Sequence, residues 1–115
     1  MSGRSTIAII GGTGAEGGGI ALRLAKAGHR VLIGSREAGK AKAAAAALAS
    51  LGGVAIVGDA NRAVAAAAEI AILTVPYAAQ RSTVEEIRDV LAGKILVDAT
   101  APLVPPRVNR VQLPE

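Results

Sequence analysis

The sequence predicts a doubly wound α/β fold, in which a parallel sheet lies between two layers of helices. Short aliphatic runs alternate along the chain with alanine-rich stretches of helical length, which is typical of strands joined by crossover helices. Tyr77 is the only aromatic residue among 115. The core must therefore consist of Ala, Val, Ile and Leu, and these side chains suit strands that are buried on both faces. A chain of this length predicts one domain with a sizeable core.

Five strands and four helices follow from these aliphatic and alanine-rich runs. The predicted strands are Thr6–Ile10, Arg30–Ile33, Val54–Val57, Ile70–Val75 and Ile95–Asp98. The predicted helices are Glu16–Ala27, Glu37–Leu51, Asn61–Ala68 and Ala79–Leu91. Right-handed crossovers predict the strand order 3-2-1-4-5, with a crevice at the carboxyl ends of strands one and four.

Glycine and proline mark where these elements end. Gly28 follows the first helix and Gly93 follows the fourth, at positions where glycine commonly stops a helix. A Gly52-Gly53 break separates the second helix from the third strand, and Pro76 starts a turn after the fourth strand. The prolines of residues 102–115 exclude a regular helix and predict a linker or an extended arm. We expect this arm to lead to a second domain.

The composition excludes several classes of function. The chain has no cysteine and one histidine, so we expect no disulfide, no thiolate metal site and no histidine-rich metal site. The net charge is +4 and the pI about 10.1, but one tyrosine cannot supply the stacking platform that single-stranded nucleic acid needs. Glu69 interrupts the longest apolar run. We therefore expect a cytoplasmic protein that binds neither nucleic acid nor membrane.

A glycine-rich stretch, "GGTGAEGGG", lies between the first strand and the first helix. Gly12, Gly14 and Gly17 fit the pattern G-x-G-x-x-G, the dinucleotide-binding fingerprint of Rossmann domains. In that fingerprint Gly12 allows the tight turn, Gly14 lets backbone approach a pyrophosphate, and Gly17 lets the helix pack closely. The helix N-terminus offers free N–H groups to the phosphates. Thr13 either donates its hydroxyl to a phosphate or bonds within the turn.

Two further glycines, Gly18 and Gly19, lie beyond the fingerprint. Each is compatible with two explanations, which the sequence leaves open. One is tight packing against a neighbouring strand, and the other is a ligand or second domain lying across this turn.

Cations follow the second predicted strand in place of the acidic residue that is typical of proteins selecting NAD. Ser35 and Arg36 come directly after Gly34, and Lys40 lies four residues beyond Arg36, on what is predicted to be the same helix face. Two cations near a helix N-terminus oppose the macrodipole and repel each other, whereas an anion between them reverses that balance. The sequence therefore predicts a clamp for a 2′-phosphate, and NADP(H) as the cofactor.

The stretches "IAIIGGTGAEGGGIALRLAKAGHRVLIGSR", "ILTVPY" and "VDATAPLVPP" resemble the N-terminal domain of NADPH-dependent coenzyme F420 reductases. The resemblance implies a Rossmann domain over residues 1–101 and hydride transfer between NADP(H) and the deazaflavin F420. It implies a cofactor site in three parts: a phosphate loop, a 2′-phosphate clamp and a nicotinamide-side turn. Their residues are Thr13, Gly14, Ala15 and Glu16 for the loop, Ser35, Arg36 and Lys40 for the clamp, and Val75, Pro76 and Tyr77 for the turn.

The resemblance also implies that Asp98–Pro102 forms the near edge of the deazaflavin site, and that a C-terminal domain supplies the helices that dimerise. No catalytic acid or base is expected, because the two cofactors carry the hydride chemistry. A short-chain dehydrogenase is excluded, since its Tyr-x-x-x-Lys pair would require lysine where Arg81 follows Tyr77. The alternative that stays open is a non-catalytic module that binds NADP(H) and signals to a partner.

Overall fold

Five parallel strands form one sheet in the order β3-β2-β1-β4-β5, as the sequence predicts. The computed structural model describes residues 5–99, 103–104 and 107–111. The strands of the sheet are β1 (Thr6–Ile10), β2 (Arg30–Ser35), β3 (Ile56–Ala60), β4 (Ile70–Leu73) and β5 (Ile95–Asp98). The helices are α1 (Ala15–Lys26), α2 (Ala38–Gly52), α3 (Asn61–Ala67) and α4 (Gln80–Ile87).

Helices cover both faces of this sheet, which confirms the three-layer α/β/α architecture. Along β1, Ile7 and Ile9 point to the face covered by α1 and α2, where they pack with Ala21, Ala41 and Ala45. Ala8 and Ile10, which alternate with them, face α3 and α4 and pack with Val64, Ala65 and Ile87. Small alanines on the helices let them approach the branched side chains of the sheet closely, so the core packs without aromatic rings.

The third strand runs from Ile56 to Ala60, so the predicted range Val54–Val57 is wrong at both ends. Gly58 was expected to lie outside the strand, yet it pairs with Ile33 of β2. A Cβ atom at Gly58 would lie 2.1 Å from the carbonyl oxygen of Ala41, because α2 packs directly on the strand there. The glycine thus marks a close approach of helix to strand, and not the end of the strand.

The segment after β4 is less regular than predicted. Strand β4 ends at Leu73 and not at Val75, because its partner β1 ends at Ile10; the Thr74 N–H still donates to the Ile10 carbonyl at 3.0 Å. The predicted helix Ala79–Leu91 is divided into a 3₁₀ turn at Tyr77–Ala79, α4, and a second 3₁₀ turn at Arg88–Val90. No helix in the described ranges combines the length and apolar composition that crossing a membrane requires.

Two short strands pair within the predicted arm of residues 102–115. Strand β6 (Leu103–Val104) pairs antiparallel with β7 (Arg107–Val111). The remaining residues of that arm lie outside the described ranges, as do residues 100–102 of the predicted deazaflavin edge. The role of the arm as a linker stays a prediction.

An ion pair joins the two elements that cover the sheet on the α3 side. The Arg62 guanidinium on α3 donates two hydrogen bonds to the carboxylate of Asp89 in the second 3₁₀ turn. These hydrogen bonds are the main reason why the pKa of Asp89 is lower than its ordinary value. A carboxyl group whose pKa is lowered by folding stabilises the fold above its unfolded pKa, and this contribution disappears as the pH falls through the folded pKa.

We therefore expect Asp89→Asn to lower the melting temperature slightly at pH 7, since an exposed ion pair contributes little. The difference from the unchanged chain should shrink as the pH falls below about 4, near the unfolded pKa of aspartate. Thermal melts followed by circular dichroism between pH 7 and pH 2 measure this difference in melting temperature. A difference that stayed constant across this range would contradict the assignment of the ion pair.

Candidate functional site

A cleft of about 350 Å³ opens at the carboxyl ends of β1, β2 and β4, where the strand order predicts a crevice. Its lining combines bare backbone, hydroxyl groups and charged side chains: Gly11, Thr13, Ser35, Arg36, Glu37, Lys40, Asn61, Val75, Pro76, Ala79 and Thr83. We call it the first cleft. A second cleft of about 490 Å³ shares four of these residues and extends along the start of α1, lined by Gly11, Thr13, Gly14, Ala15, Glu16, Thr74, Val75 and Pro76.

The turn between β1 and α1 depends on Gly11, one residue before the position predicted. Gly11 has φ +72°, a left-handed conformation that side chains other than glycine rarely adopt, whereas Gly12 is not left-handed. The tight turn was assigned to Gly12, which lies in it, but Gly11 is its left-handed residue. A Cβ atom at Gly11 would also lie 2.3 Å from Cγ1 of Val75. Both the backbone angle and the neighbouring side chain therefore require glycine at this position.

Gly12 and Gly17 are needed for close packing. A Cβ atom at Gly17 would lie 2.7 Å from Cα of Gly12, and one at Gly12 would lie 2.9 Å from the carbonyl oxygen of Ile9. The Gly12 N–H donates to the carbonyl of Gly34 at the end of β2, at 2.9 Å. The close packing of α1 that the fingerprint predicts for Gly17 is thus present. Both glycines are buried, and they lie beneath the two clefts and not in their lining.

Gly14 differs from these two glycines because no described residue occupies the space where a side chain at this position would lie. A Cβ atom built there meets no heavy atom within 4 Å, and its backbone (φ −81°, ψ 170°) is open to any residue. Gly14 is the N-cap of α1, whose first N–H groups lack acceptors within the helix. The positive end of a helix thus faces open space, beside the exposed residues Thr13, Ala15 and Glu16.

The two glycines beyond the fingerprint are not explained by packing within the described chain. A Cβ atom at Gly18 would make an ordinary contact, 3.7 Å from the Leu48 side chain, and one at Gly19 would meet nothing within 4 Å. Glycine within a helix destabilises it by about 1 kcal/mol relative to alanine. The second explanation, a ligand or domain lying across this turn, stays a prediction.

Asn61, the first residue of α3, fixes the shape of the first cleft and was missed as a site residue. Its side chain is 2% exposed, and its Oδ1 accepts a hydrogen bond from the Gly11 N–H at 3.1 Å. A Cβ atom at Gly34 would lie 2.6 Å from that same oxygen. In the sequence Asn61 looks like an ordinary helix start. Its role becomes visible only when the fold places its amide beside a glycine near the end of a strand.

The turn after β4 closes the other side of both clefts. Thr74, also missed, donates its hydroxyl towards the carbonyls of Ile10 and Gly11, at 3.0 and 3.3 Å. Val75 and Pro76, which were predicted for the nicotinamide side, line both clefts. Tyr77 begins the 3₁₀ turn, is half-buried and lies outside the lining of either cleft.

The three predicted clamp residues meet in the first cleft, but their arrangement differs from the one expected. Arg36 precedes the N-cap Glu37, so it does not share a helix face with Lys40. Ser35 is buried at the end of β2, and its hydroxyl accepts a hydrogen bond from the Glu37 N–H at 3.3 Å. Lys40 lies 3.1 Å from the Glu37 carboxylate, with both side chains mostly exposed. Glu37, missed in the sequence, is thus an anion within the predicted anion site.

Residues 6–102 match the family described as "NADP oxidoreductase coenzyme F420-dependent". The chain belongs to this family. It is 47% identical over 100 residues to the F420-dependent NADP reductase of Methanothermobacter thermautotrophicus, a match that covers 84% of this chain and 43% of that protein. The F420-dependent NADP reductase of Methanocaldococcus jannaschii is 40% identical over 102 residues, with 84% and 45% covered. The chain thus spans less than half the length of these relatives.

Solved structures agree with the family assignment. A crystal structure from Arthrobacter sp. FB24, described as a candidate F420-dependent NADP reductase, superposes with a TM-score of 0.76 at 32% identity. That match covers 93% of this chain and 50% of the other. The lactate dehydrogenase of Cryptosporidium parvum, at 21% identity and a TM-score of 0.71, shares the fold. The fold is therefore that of NAD(P)-binding Rossmann domains.

Proposed function

We propose that this chain is the NADP(H)-binding domain of an oxidoreductase that transfers hydride between NADP(H) and the deazaflavin coenzyme F420. The relatives that are 40–47% identical over 100–102 aligned residues are named for that reaction. The observation that carries the proposal is the joined pair of clefts. They connect a bare helix N-terminus at Gly14 with the cations Arg36 and Lys40, and this combination fits a dinucleotide with an additional phosphate.

The start of α1 would hold the pyrophosphate. Gly14 would let a phosphate approach the backbone, because it lacks the Cβ atom that would otherwise project into this open space. The N–H groups of Ala15 and Glu16 and the hydroxyl of Thr13 are the donors at this helix end. Gly12 and Gly17 support the arrangement from below by letting α1 approach the sheet.

The 2′-phosphate would lie at the other end, among Ser35, Arg36 and Lys40. A phosphate oxygen accepts charge-assisted hydrogen bonds from both cations, and each such bond contributes about 1.5–3 kcal/mol. Lys40 is within reach of the Glu37 carboxylate, so the phosphate competes with that carboxylate for the ammonium group. Arg36 has no carboxylate partner among the described residues, and we propose that it supplies more of the preference for NADP(H) over NAD(H).

The nicotinamide would lie along Val75, Pro76 and Tyr77. Bound NADP(H) supplies the hydride chemistry, and the protein supplies orientation, so no acid or base of this chain is required. We propose that F420 approaches along Asp98–Pro102, that residues 1–101 form the cofactor domain, and that 102–115 lead to a C-terminal domain. Homodimerisation would depend on that domain. The proposal includes a cytoplasmic location and no nucleic-acid partner, and no observation favours a non-catalytic NADP(H) sensor.

Parallel calorimetric titrations of the 115-residue chain with NADPH and with NADH test this proposal. We expect NADPH to bind with a dissociation constant about tenfold or more below that of NADH, since one charge-assisted hydrogen bond accounts for that ratio. Equal affinities would refute the clamp, and no binding of either nucleotide would refute the cofactor site of this chain.

Removal of the Glu37 charge is expected to strengthen NADPH binding. Glu37→Gln leaves Lys40 without its carboxylate partner, and the start of α2 does not depend on that side chain because it makes no capping hydrogen bond. An exposed ion pair contributes up to about 1 kcal/mol, so we expect NADPH to bind about two- to fivefold more tightly. NADH affinity should stay the same. Glu85→Gln, the same charge change on the exposed surface of α4, is the control.

A further inference from the structure

Ser82, on α4, contacts Arg36, a residue that lines the first cleft. One guanidinium nitrogen of Arg36, Nη2, donates to the Ser82 hydroxyl at 3.0 Å, although the two residues are 46 positions apart in the sequence. Ser82 itself does not line either cleft, whereas its neighbour Thr83 does. The contact with the clamp therefore comes from outside the cleft. It is made by α4, which covers the face of the sheet opposite to α2.

The orientation of the Ser82 hydroxyl is fixed by its other partner. A serine hydroxyl has one proton, and Ser82 donates it to the Ala79 carbonyl at 3.1 Å. Its lone pairs are then directed to Arg36, which has only protons to offer. Thr83 donates to the same Ala79 carbonyl at 2.8 Å and is 1% exposed, so both hydroxyls are hydrogen-bonded within this first turn of α4. Ser82 is thus a fixed acceptor at a defined position.

The two cations of the clamp have different kinds of partner. Lys40 lies beside a carboxylate, which offsets its charge, whereas Arg36 is hydrogen-bonded to a neutral hydroxyl, which leaves its charge intact. A guanidinium has five N–H donors, and the contact with Ser82 uses one of them. Arg36 is otherwise an exposed side chain with many rotamers, so an anchor reduces the entropy that it loses on binding an anion.

We infer that Ser82 is a positioning residue that holds Arg36 ready for the 2′-phosphate and so contributes to the preference for NADP(H) over NAD(H). This inference rests on the proposed function, because it concerns the same clamp. It extends the clamp from the β2–α2 loop to α4, and it assigns a role to a residue that no binding motif contains.

The test is the pair of nucleotide affinities of Ser82→Ala, measured by calorimetry on the chain whose titrations are described above. Loss of the anchor should raise the dissociation constant for NADPH about three- to tenfold, the range expected for freeing one long side chain. The constant for NADH should change less than twofold, because no 2′-phosphate is involved. Ser82→Thr keeps the hydroxyl and should retain the NADPH affinity. Ser50→Ala, an exposed serine on α2, is the control.

A double-mutant cycle distinguishes positioning from a general effect on the fold. In an Arg36→Ala background, Ser82→Ala should cause no further loss of NADPH affinity, since the residue that it positions is gone. A further loss there, an unchanged NADPH affinity in Ser82→Ala alone, or equal losses for both nucleotides would overturn the inference. If the unchanged chain failed to prefer NADPH, the proposed clamp would fail first. A preference that is undiminished in Ser82→Ala would overturn the role of Ser82 alone.

Discussion

Gly14→Leu should abolish the binding of both NADPH and NADH while the chain stays folded. The space above Gly14 contains no protein atom within 4 Å, and its backbone angles suit any residue, so the fold accommodates a leucine. The same side chain would occupy the position of the pyrophosphate at the start of α1, which both nucleotides share. We expect both dissociation constants to rise about 100-fold or more, equivalent to roughly 2.7 kcal/mol.

Three comparisons separate a blocked site from a damaged fold. Thermal melts of Gly14→Leu should differ little from those of the unchanged chain, since an N-cap substitution costs about 1 kcal/mol. Gly17→Leu should instead unfold the domain, because its Cβ atom alone would lie 2.7 Å from Cα of Gly12. Ala46→Leu adds a leucine to an exposed position of α2 and should bind normally. Nucleotide affinity that survives in a folded Gly14→Leu variant would refute the pyrophosphate site.

Arg36→Glu should reverse the preference between the two nucleotides. The substitution removes the charge-assisted hydrogen bonds of the guanidinium and places a carboxylate beside the 2′-phosphate. We expect the NADPH dissociation constant to rise about 100-fold, whereas that of NADH should change less than about threefold. The ratio of the two constants, measured by titration at one ionic strength, is the quantity to compare, because exposed charges are screened by salt.

The matched control for Arg36→Glu is Arg81→Glu. Arg81 is exposed on α4 and lines neither cleft, so the same change of net charge occurs away from the site. It should weaken NADPH binding only slightly. Equal weakening of NADPH and NADH in Arg36→Glu would contradict the clamp, and a similar loss in Arg81→Glu would indicate a long-range effect of net charge.

The sheet was predictable because its signals are local. Aliphatic runs separated by helical stretches determine which segments are strands, and the handedness of crossovers then determines their order. The ends of the strands were less predictable, because they depend on neighbours. Gly58 lies just outside the predicted third strand, yet it pairs with Ile33 and continues β3, with Ala41 of α2 packed against it. Strand β4 likewise ends at Leu73, where its partner strand ends.

The residues of the candidate site likewise divide into those that the sequence predicted and those that it missed. Gly14, Ser35 and Arg36 were predicted as site residues because each lies at or beside the end of a strand or the start of a helix, where short sequence motifs are informative. Asn61 and Thr74 were missed because they act on the β1–α1 loop from 50 and 63 positions away. Hydrophobic residues make up 51% of this sequence, so an isolated amide or hydroxyl gives no pattern until the strands are placed side by side.

The close fit between Gly34 and α3 has a consequence for how this protein can evolve. Any side chain at position 34 would meet both the Asn61 amide, at 2.6 Å, and Cγ2 of Val64, at 2.7 Å. Moving Asn61 aside would take the hydrogen-bond acceptor from the Gly11 N–H, so the β1–α1 loop would change with it. We expect positions 34, 61 and 64 to vary together among descendants of this sequence, with the smaller residues at 61 and 64 arising before a larger one at 34.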